Sequence, residues 1–138
     1  MRLTSPIAHT KLSTKRRGRI GELLTEVDLL KRDLLIMTPI VDDKNIDYAV
    51  IDQGKTYTIQ VKYHRSSTTS TAISIKVKPC IADIIAIPFT NGGLYQVFYV
   101  WNRNKDRCWN MNISISQPKN NQSKGIHFGK DYREFPPC

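Results

Sequence analysis

The chain is poor in the residues that would mark a disulfide or zinc scaffold. It holds three cysteines in 138 residues, Cys80, Cys108 and Cys138. They are too few and too far apart for a disulfide framework and lack the close spacing of a thiolate zinc site. Its three histidines, His9, His64 and His127, are equally scattered, with no pair spaced to ligate one ion from one face of a helix. No stretch approaches the roughly 20 apolar residues that cross a bilayer, and no basic amphipathic helix stands out, so no membrane partner is expected. Residues 1–14 mix Arg, His, Lys and Ser with isolated apolar residues. Without a signal-peptide hydrophobic region there, the expected location is intracellular and cytoplasmic.

Acids are scarce beyond residue 52. Eight of the 12 lie between Glu22 and Asp52, whereas from Gln53 onward 12 Lys or Arg stand against four acids. The formal net charge is +9 and the pI about 9.6. A field of that sign concentrates phosphates at the surface and repels acidic proteins, which makes nucleic acid the expected partner. Solvated helix and turn faces would account for Asp28, Asp33, Asp42 and Asp52. A cation site set within a phosphate-binding surface would account for two or three of the other acids.

With 40% hydrophobic residues, the chain has enough apolar material for one core and too little length for two, so residues 1–138 are expected to form a single domain. Residues 1–17 carry Lys11, Lys15, Arg16 and Arg17 without an acid and read as a basic arm. From Ile20, the apolar positions Leu23, Leu24, Val27, Leu30 and Leu34 recur at helical spacing and predict a helix packed on that stripe. Leu29 falls outside it, which suggests a second contact with a neighbouring element or another subunit. Strands are predicted over 34–39, 46–51, 56–63, 73–77, 81–89 and 94–101. Asp52-Gln53-Gly54-Lys55 connects two of them as a hairpin. The tail from Gln117 to Cys138, polar and ending in Pro136-Pro137, is expected to be extended or irregular.

Phosphodiester hydrolysis needs a cation to neutralise developing charge, a positioned water, and commonly a lysine to hold or polarise that water. On the strand 56–63, side-chain alternation puts Gln60 and Lys62 on one face, an oxygen ligand beside an ammonium. Asp47, on the preceding strand of the hairpin, could bring its carboxylate to Gln60 across the pair. A hard cation such as Mg²⁺ accepts carboxylate, amide and backbone oxygens. Each residue also has a plain structural alternative. QVK patterns occur by chance in many strands, Lys62 could be an ordinary phosphate contact, and Asp47 a turn residue. Glu22 lies opposite the predicted apolar stripe and could be a solvated acid, with Glu26 one turn later as its rival.

These motifs, in the order Arg17-Gly18-Arg19-Ile20-Gly21-Glu22-Leu23, Pro39, Ile46-Asp47-Tyr48 and Ile59-Gln60-Val61-Lys62-Tyr63, resemble the PD-(D/E)XK nuclease superfamily. They are most similar to its cyanobacterial group I intron homing endonuclease branch. The segment 120–126 and Lys130-Asp131-Tyr132 add a weaker similarity, while residues 66–117 show hardly any. The resemblance implies an α/β fold with a restriction-endonuclease-like mixed β-sheet flanked by helices. It implies Mg²⁺-dependent endonuclease action on double-stranded DNA, with Asp47, Gln60 and Glu22 as metal ligands, Val61 lending its carbonyl, and Lys62 orienting the attacking water. Two departures stand out: Ile46 precedes Asp47 where the motif nominally has Pro, and Gln60 stands where most relatives have Glu or Asp. Lys15, Arg16, Arg17, Arg19, Lys76, Lys78, Lys119 and Lys124 are candidate phosphate contacts. A homo-oligomer, dimer or tetramer, is implied, since one small domain cuts one strand per active site. The competing readings are a junction resolvase or restriction-type nuclease on the same core, and a non-catalytic DNA-binding protein.

Overall fold

The computed structural model describes residues 13–41, 44–64, 72–91, 94–115 and 127–138. Its first element is a helix, α1 (Thr14–Lys31), opened by Ser13, whose hydroxyl accepts from the Arg16 amide at 3.3 Å. A serine in that position satisfies one of the unpaired amides of the first turn. Lys15, Arg16 and Arg17 therefore belong to the helix, which corrects their reading as part of a basic arm; residues 1–12 lie outside the described residues.

The helix also presents a different face to the core from the one its periodicity predicts. Gly21, Thr25 and Leu29 are buried, while Leu23, Val27 and Leu30 of the expected stripe are 44%, 41% and 58% exposed. Leu29, the apparent outlier, is fully inside. Size explains the reversal. Small residues at 21 and 25 let the helix axis approach the sheet, and a Cβ added at Gly21 would lie 2.6 Å from the Cβ of Tyr63. Thr25 returns its hydroxyl to the Gly21 carbonyl at 2.9 Å, so its polar atom stays paired in the core. Farther along, the Tyr99 hydroxyl donates to Asp28 Oδ2 at 2.6 Å, and Arg32 Nε closes on the same oxygen at 2.9 Å.

Strands β1 (Leu35–Met37), β2 (Tyr48–Asp52), β3 (Lys55–Val61), β4 (Ala72–Val77), β5 (Ile84–Asn91), β6 (Leu94–Trp101), β7 (Trp109–Ser114) and β8 (His127–Phe128) follow. Five of them form a mixed sheet in the order β1-β2-β3-β5-β6, antiparallel except for the β3–β5 pair. The other three form a second sheet, β4-β7-β8. The link between β2 and β3 is tighter than a four-residue connection. Asp52 pairs with Lys55, leaving Gln53 and Gly54 as a two-residue loop with φ of 51° and 79°, the signature of a type I′ turn.

Alternation across the larger sheet divides the core in two. Tyr48, Val50, Ile59, Ile84, Ala86, Val97 and Tyr99 pack with Leu29 of the helix. Ile85, Ile87, Phe89, Phe98 and Val100 face the other way, against Ile73, Ile75 and Val77 of β4 and Met111 and Ile113 of β7. The expected mixed α/β sheet is thus present, with α1 on one face and the second sheet on the other. β4 alternates strictly between exposed and buried residues, as its sequence predicts. β7 is an element that the hydrophobic pattern did not predict. In the tail, β8 and a short 3₁₀ turn, Gly129–Tyr132, add local order. Among the described residues no helix is long and apolar enough to cross a membrane.

Candidate active site

The hairpin register decides which polar groups meet. Tyr48 pairs with Ile59, and the Asp47 amide continues the ladder by donating to the Ile59 carbonyl at 2.8 Å, so Asp47 stands opposite Gln60. A slip of one residue would send this set to the other face of the sheet. Past Tyr48 the strand gives way, and a side chain takes over its pairing: Asp47 Oδ2 accepts from the Val61 amide at 2.7 Å. On the opposite edge β3 continues against β5, with the Lys62 amide donating to the Ala86 carbonyl at 2.8 Å and His64 to Pro88 at 3.0 Å. Asp47, Gln60 and Val61 are therefore brought together where β2 and β3 part, with Lys62 one alternation beyond Gln60 on the same face.

Gln60 carries the most telling atom. It sits in register with buried Ile85, and its Oε1 is buried with no hydrogen-bond partner. Folded proteins rarely leave such an oxygen unpaired, because the loss of hydration costs about 1–3 kcal/mol.

Glu22 reaches this end of the sheet through two contacts. The absence of a side chain at Gly21 lets the helix lie against Tyr63 at the end of β3. The Tyr48 hydroxyl, on the residue next to Asp47, donates to the Glu22 carbonyl and to Glu26 Oε2, both at 3.0 Å. Burial first, and then the Glu26 hydrogen bond, push the Tyr48 hydroxyl well above its ordinary pKa, so it remains a donor. Glu26, the rival acid, is thereby engaged in anchoring helix to strand. The Glu22 carboxylate, 28% exposed, forms an ion pair with Arg19 at 3.0 Å. Among the described residues no three His, Cys, Asp or Glu side chains converge as a metal cluster, so a cation here would depend on the Gln60 amide and on backbone oxygen as well as carboxylates.

The candidate phosphate contacts are distributed unevenly. Lys15, Arg16, Arg19, Lys76 and Lys78 are exposed, while Arg17 is half-buried with its Nε unpartnered, one turn before Gly21 on the face turned to β3. Lys119, Lys124 and the segment 120–126 lie outside the described residues. Of the histidines, His64 is half-buried and its imidazole is held below its ordinary pKa by burial. The three cysteines are free thiols, Cys80 buried and the others exposed.

One residue beside the site is not evident from the sequence motifs. Asp83 Oδ2 accepts from both the amide and the hydroxyl of Thr58 at 3.0 Å, its own amide donates back to Thr58, and Lys105 closes on Oδ1 at 2.9 Å. This lock joins β3 to β5 two residues before Gln60. The available signal was its isolation, since Asp83 is the one acid between Gln53 and Lys105.

No family profile matches the sequence, and no curated protein matches it. The architecture itself, a mixed and mostly antiparallel sheet with one helix across its face, is similar to a homing endonuclease fold. Among solved structures the chain resembles a bacterial homing endonuclease, I-Ssp6803I, with a TM-score of 0.63 over 88% of this chain and 87% of that one at 18% identity. The likeness is one of fold.

Proposed function

We propose that the protein is a Mg²⁺-dependent endonuclease of the PD-(D/E)XK type acting on double-stranded DNA. The observation that carries this reading is the buried, unpartnered Gln60 Oε1 opposite Asp47 in a chain of net charge +9. An oxygen stranded in that way fits a hard cation, which takes amide, carboxylate and carbonyl oxygens together. Asp47, Gln60, Glu22 and the Val61 carbonyl are the groups that would hold it. When bound, the cation supplies charge neutralisation at a phosphoryl oxygen and lowers the pKa of water. The chain's own part is positional. The Asp47 carboxylate is fixed by the Val61 amide, the Glu22 backbone by Tyr48, and Lys62 by its ladder bond to Ala86. Lys62 orients the attacking water and shares the developing negative charge through its ammonium. Arg17 and the exposed bases at the start of α1 bind flanking phosphates.

Cutting both strands requires two such sites, hence a second copy of the chain. The surface that supports this is the exposed apolar strip of α1, Leu23, Val27 and Leu30, next to edge strand β1 with Leu35 and Met37 exposed. Sedimentation of the wild type against Leu30→Glu tests it, a mass that stays unchanged between the two arguing against the strip.

Supercoiled plasmid incubated with the protein in Mg²⁺, and in parallel with EDTA, tests the activity. Nicks or double-strand breaks in Mg²⁺ alone are expected. Retarded DNA without any new ends under every divalent ion would favour a non-catalytic DNA-binding protein instead.

A further inference from the structure

The outer face of the second sheet has a composition that folding does not explain. β4 and β7 pair in register Ser74 to Asn112 and Lys76 to Asn110, and all four side chains point to solvent while their neighbours in sequence fill the core. Asn is disfavoured in strands, where β-branched and aromatic residues pack better on the pleat. A merely solvated strand face would be served as well by Thr or by mixed charges. Here two asparagines alternate along Trp109–Ser114, and the facing positions on β4 carry no acid. The result is a row of amide and hydroxyl groups with an ammonium at one end.

At the margin of this face Arg103 lines an open cleft of about 500 Å³ with Asn110, Asn112 and His127. Its guanidinium stands over the Trp109 ring at 5.5 Å, 3.7 Å from Met111 Sδ and 3.4 Å from His127 Nε2. An indole face, a thioether and an imidazole hold it in place without neutralising it. His127 is itself oriented from its other nitrogen by the Tyr132 hydroxyl at 2.7 Å. A cation so fixed, beside a row of amides, is arranged to meet an anion.

We propose that the outer face of β4 and β7 is a base-reading surface that enters the DNA major groove, with Asn110, Asn112 and Lys76 directed at base edges and Arg103 at the adjoining phosphate. The long strands β4 and β7, with only the two-residue β8 beside them, present an antiparallel pair, and a two-stranded ribbon fits the major groove, roughly 12 Å wide. The Asn amide matches the paired donor and acceptor of adenine, and Lys the acceptors of guanine. This inference rests on the DNA reading above and adds where sequence discrimination resides, apart from the groups assigned to hydrolysis.

The test is selection by the full chain, in Ca²⁺, from a pool of duplexes with a randomised central segment, followed by affinity for the enriched sequence against a scrambled duplex. The same ratio is then measured for the double variant Asn110→Val/Asn112→Val, whose new side chains favour the strand and so leave the sheet intact, and for Lys76→Ala. Each bidentate hydrogen-bonded pair with a base that a variant removes is expected to lower the ratio of specific to scrambled affinity roughly 5- to 150-fold. An enriched motif with the ratio unchanged in both variants overturns the base-reading surface and leaves the nuclease reading standing. Wild type that binds duplexes without any sequence preference overturns it too. Wild type that binds no duplex at all overturns the DNA reading itself.

Discussion

Replacing Gly21 by Ala sets two effects of opposite sign against each other, and the structure says which wins. Inside a helix the change gains about 1 kcal/mol, because alanine loses less backbone entropy on folding. Against that, the new methyl would lie 2.6 Å from the Cβ of Tyr63, an atom fixed to the backbone of the chain just past β3 that cannot swing aside. Overpacking of this kind costs roughly 1–3 kcal/mol, and contact with so rigid an atom belongs at the upper end. A net loss of about 1–2 kcal/mol follows, or about 3–7 °C in Tm for a domain of this size. Gly18 supplies the internal control. It lies in the same helix with nothing within 4 Å of an added Cβ, so Gly18→Ala should stabilise by up to about 1 kcal/mol. Urea titrations of the three proteins at equal m-values measure both. Because the helix must shift to admit the methyl, Glu22 moves with it, and cleavage by Gly21→Ala should fall further than the folded fraction does, by up to roughly 100-fold for a displacement near 1 Å. A Gly21→Ala midpoint at or above wild type would refute the close approach of α1 to Tyr63 and the placement of Glu22 that depends on it.

Lys62→Ala is expected to lower the cleavage rate by about 10²- to 10⁴-fold with DNA retention in Ca²⁺ largely preserved; equal loss of both would make Lys62 a phosphate contact. Gln60→Glu should retain activity and tighten divalent-ion binding, since it adds a charge where an unpartnered oxygen already lies; a calorimetric titration showing weaker binding would remove Gln60 from the ligand set. Burial raises the Asp83 pKa, but the bonds from Lys105 and Thr58 together outweigh it and hold the carboxyl below its ordinary value. Its charged form therefore stabilises the fold above the unfolded pKa of about 3.9, and that contribution is lost as pH falls through the lower folded value. The stability gap between wild type and Asp83→Asn should accordingly be present near neutrality and narrow below about pH 4, and a gap independent of pH would show that the charge is not its source.

Properties that depend on neighbours along the chain were legible in the sequence. The exposed-buried alternation of β4, the apolar runs of β5 and β6 and the hairpin of β2 and β3 are local, and they emerge close to where the residues predict them, with β5 shifted to Ile84–Asn91 and the hairpin turn shortened from four residues to Gln53-Gly54. The grouping of Asp47, Gln60 and Lys62 follows from the same source, because a short hairpin and a two-residue side-chain period leave few registers. Hydrophobic periodicity failed on α1, where most of the apolar stripe lies on the exposed side and the buried side is made of Gly21 and Thr25 with one leucine. Which face turns inward there depends on how closely the helix can approach Tyr63, a residue about 40 positions away. The parallel pairing of β3 with β5, its Asp83 lock, and the second sheet that covers the face of Gln60 are likewise contacts between distant segments. No local pattern encodes them, since the partners of a strand edge are chosen by the packing of the whole core, and that packing is what leaves Gln60 Oε1 buried and without a partner.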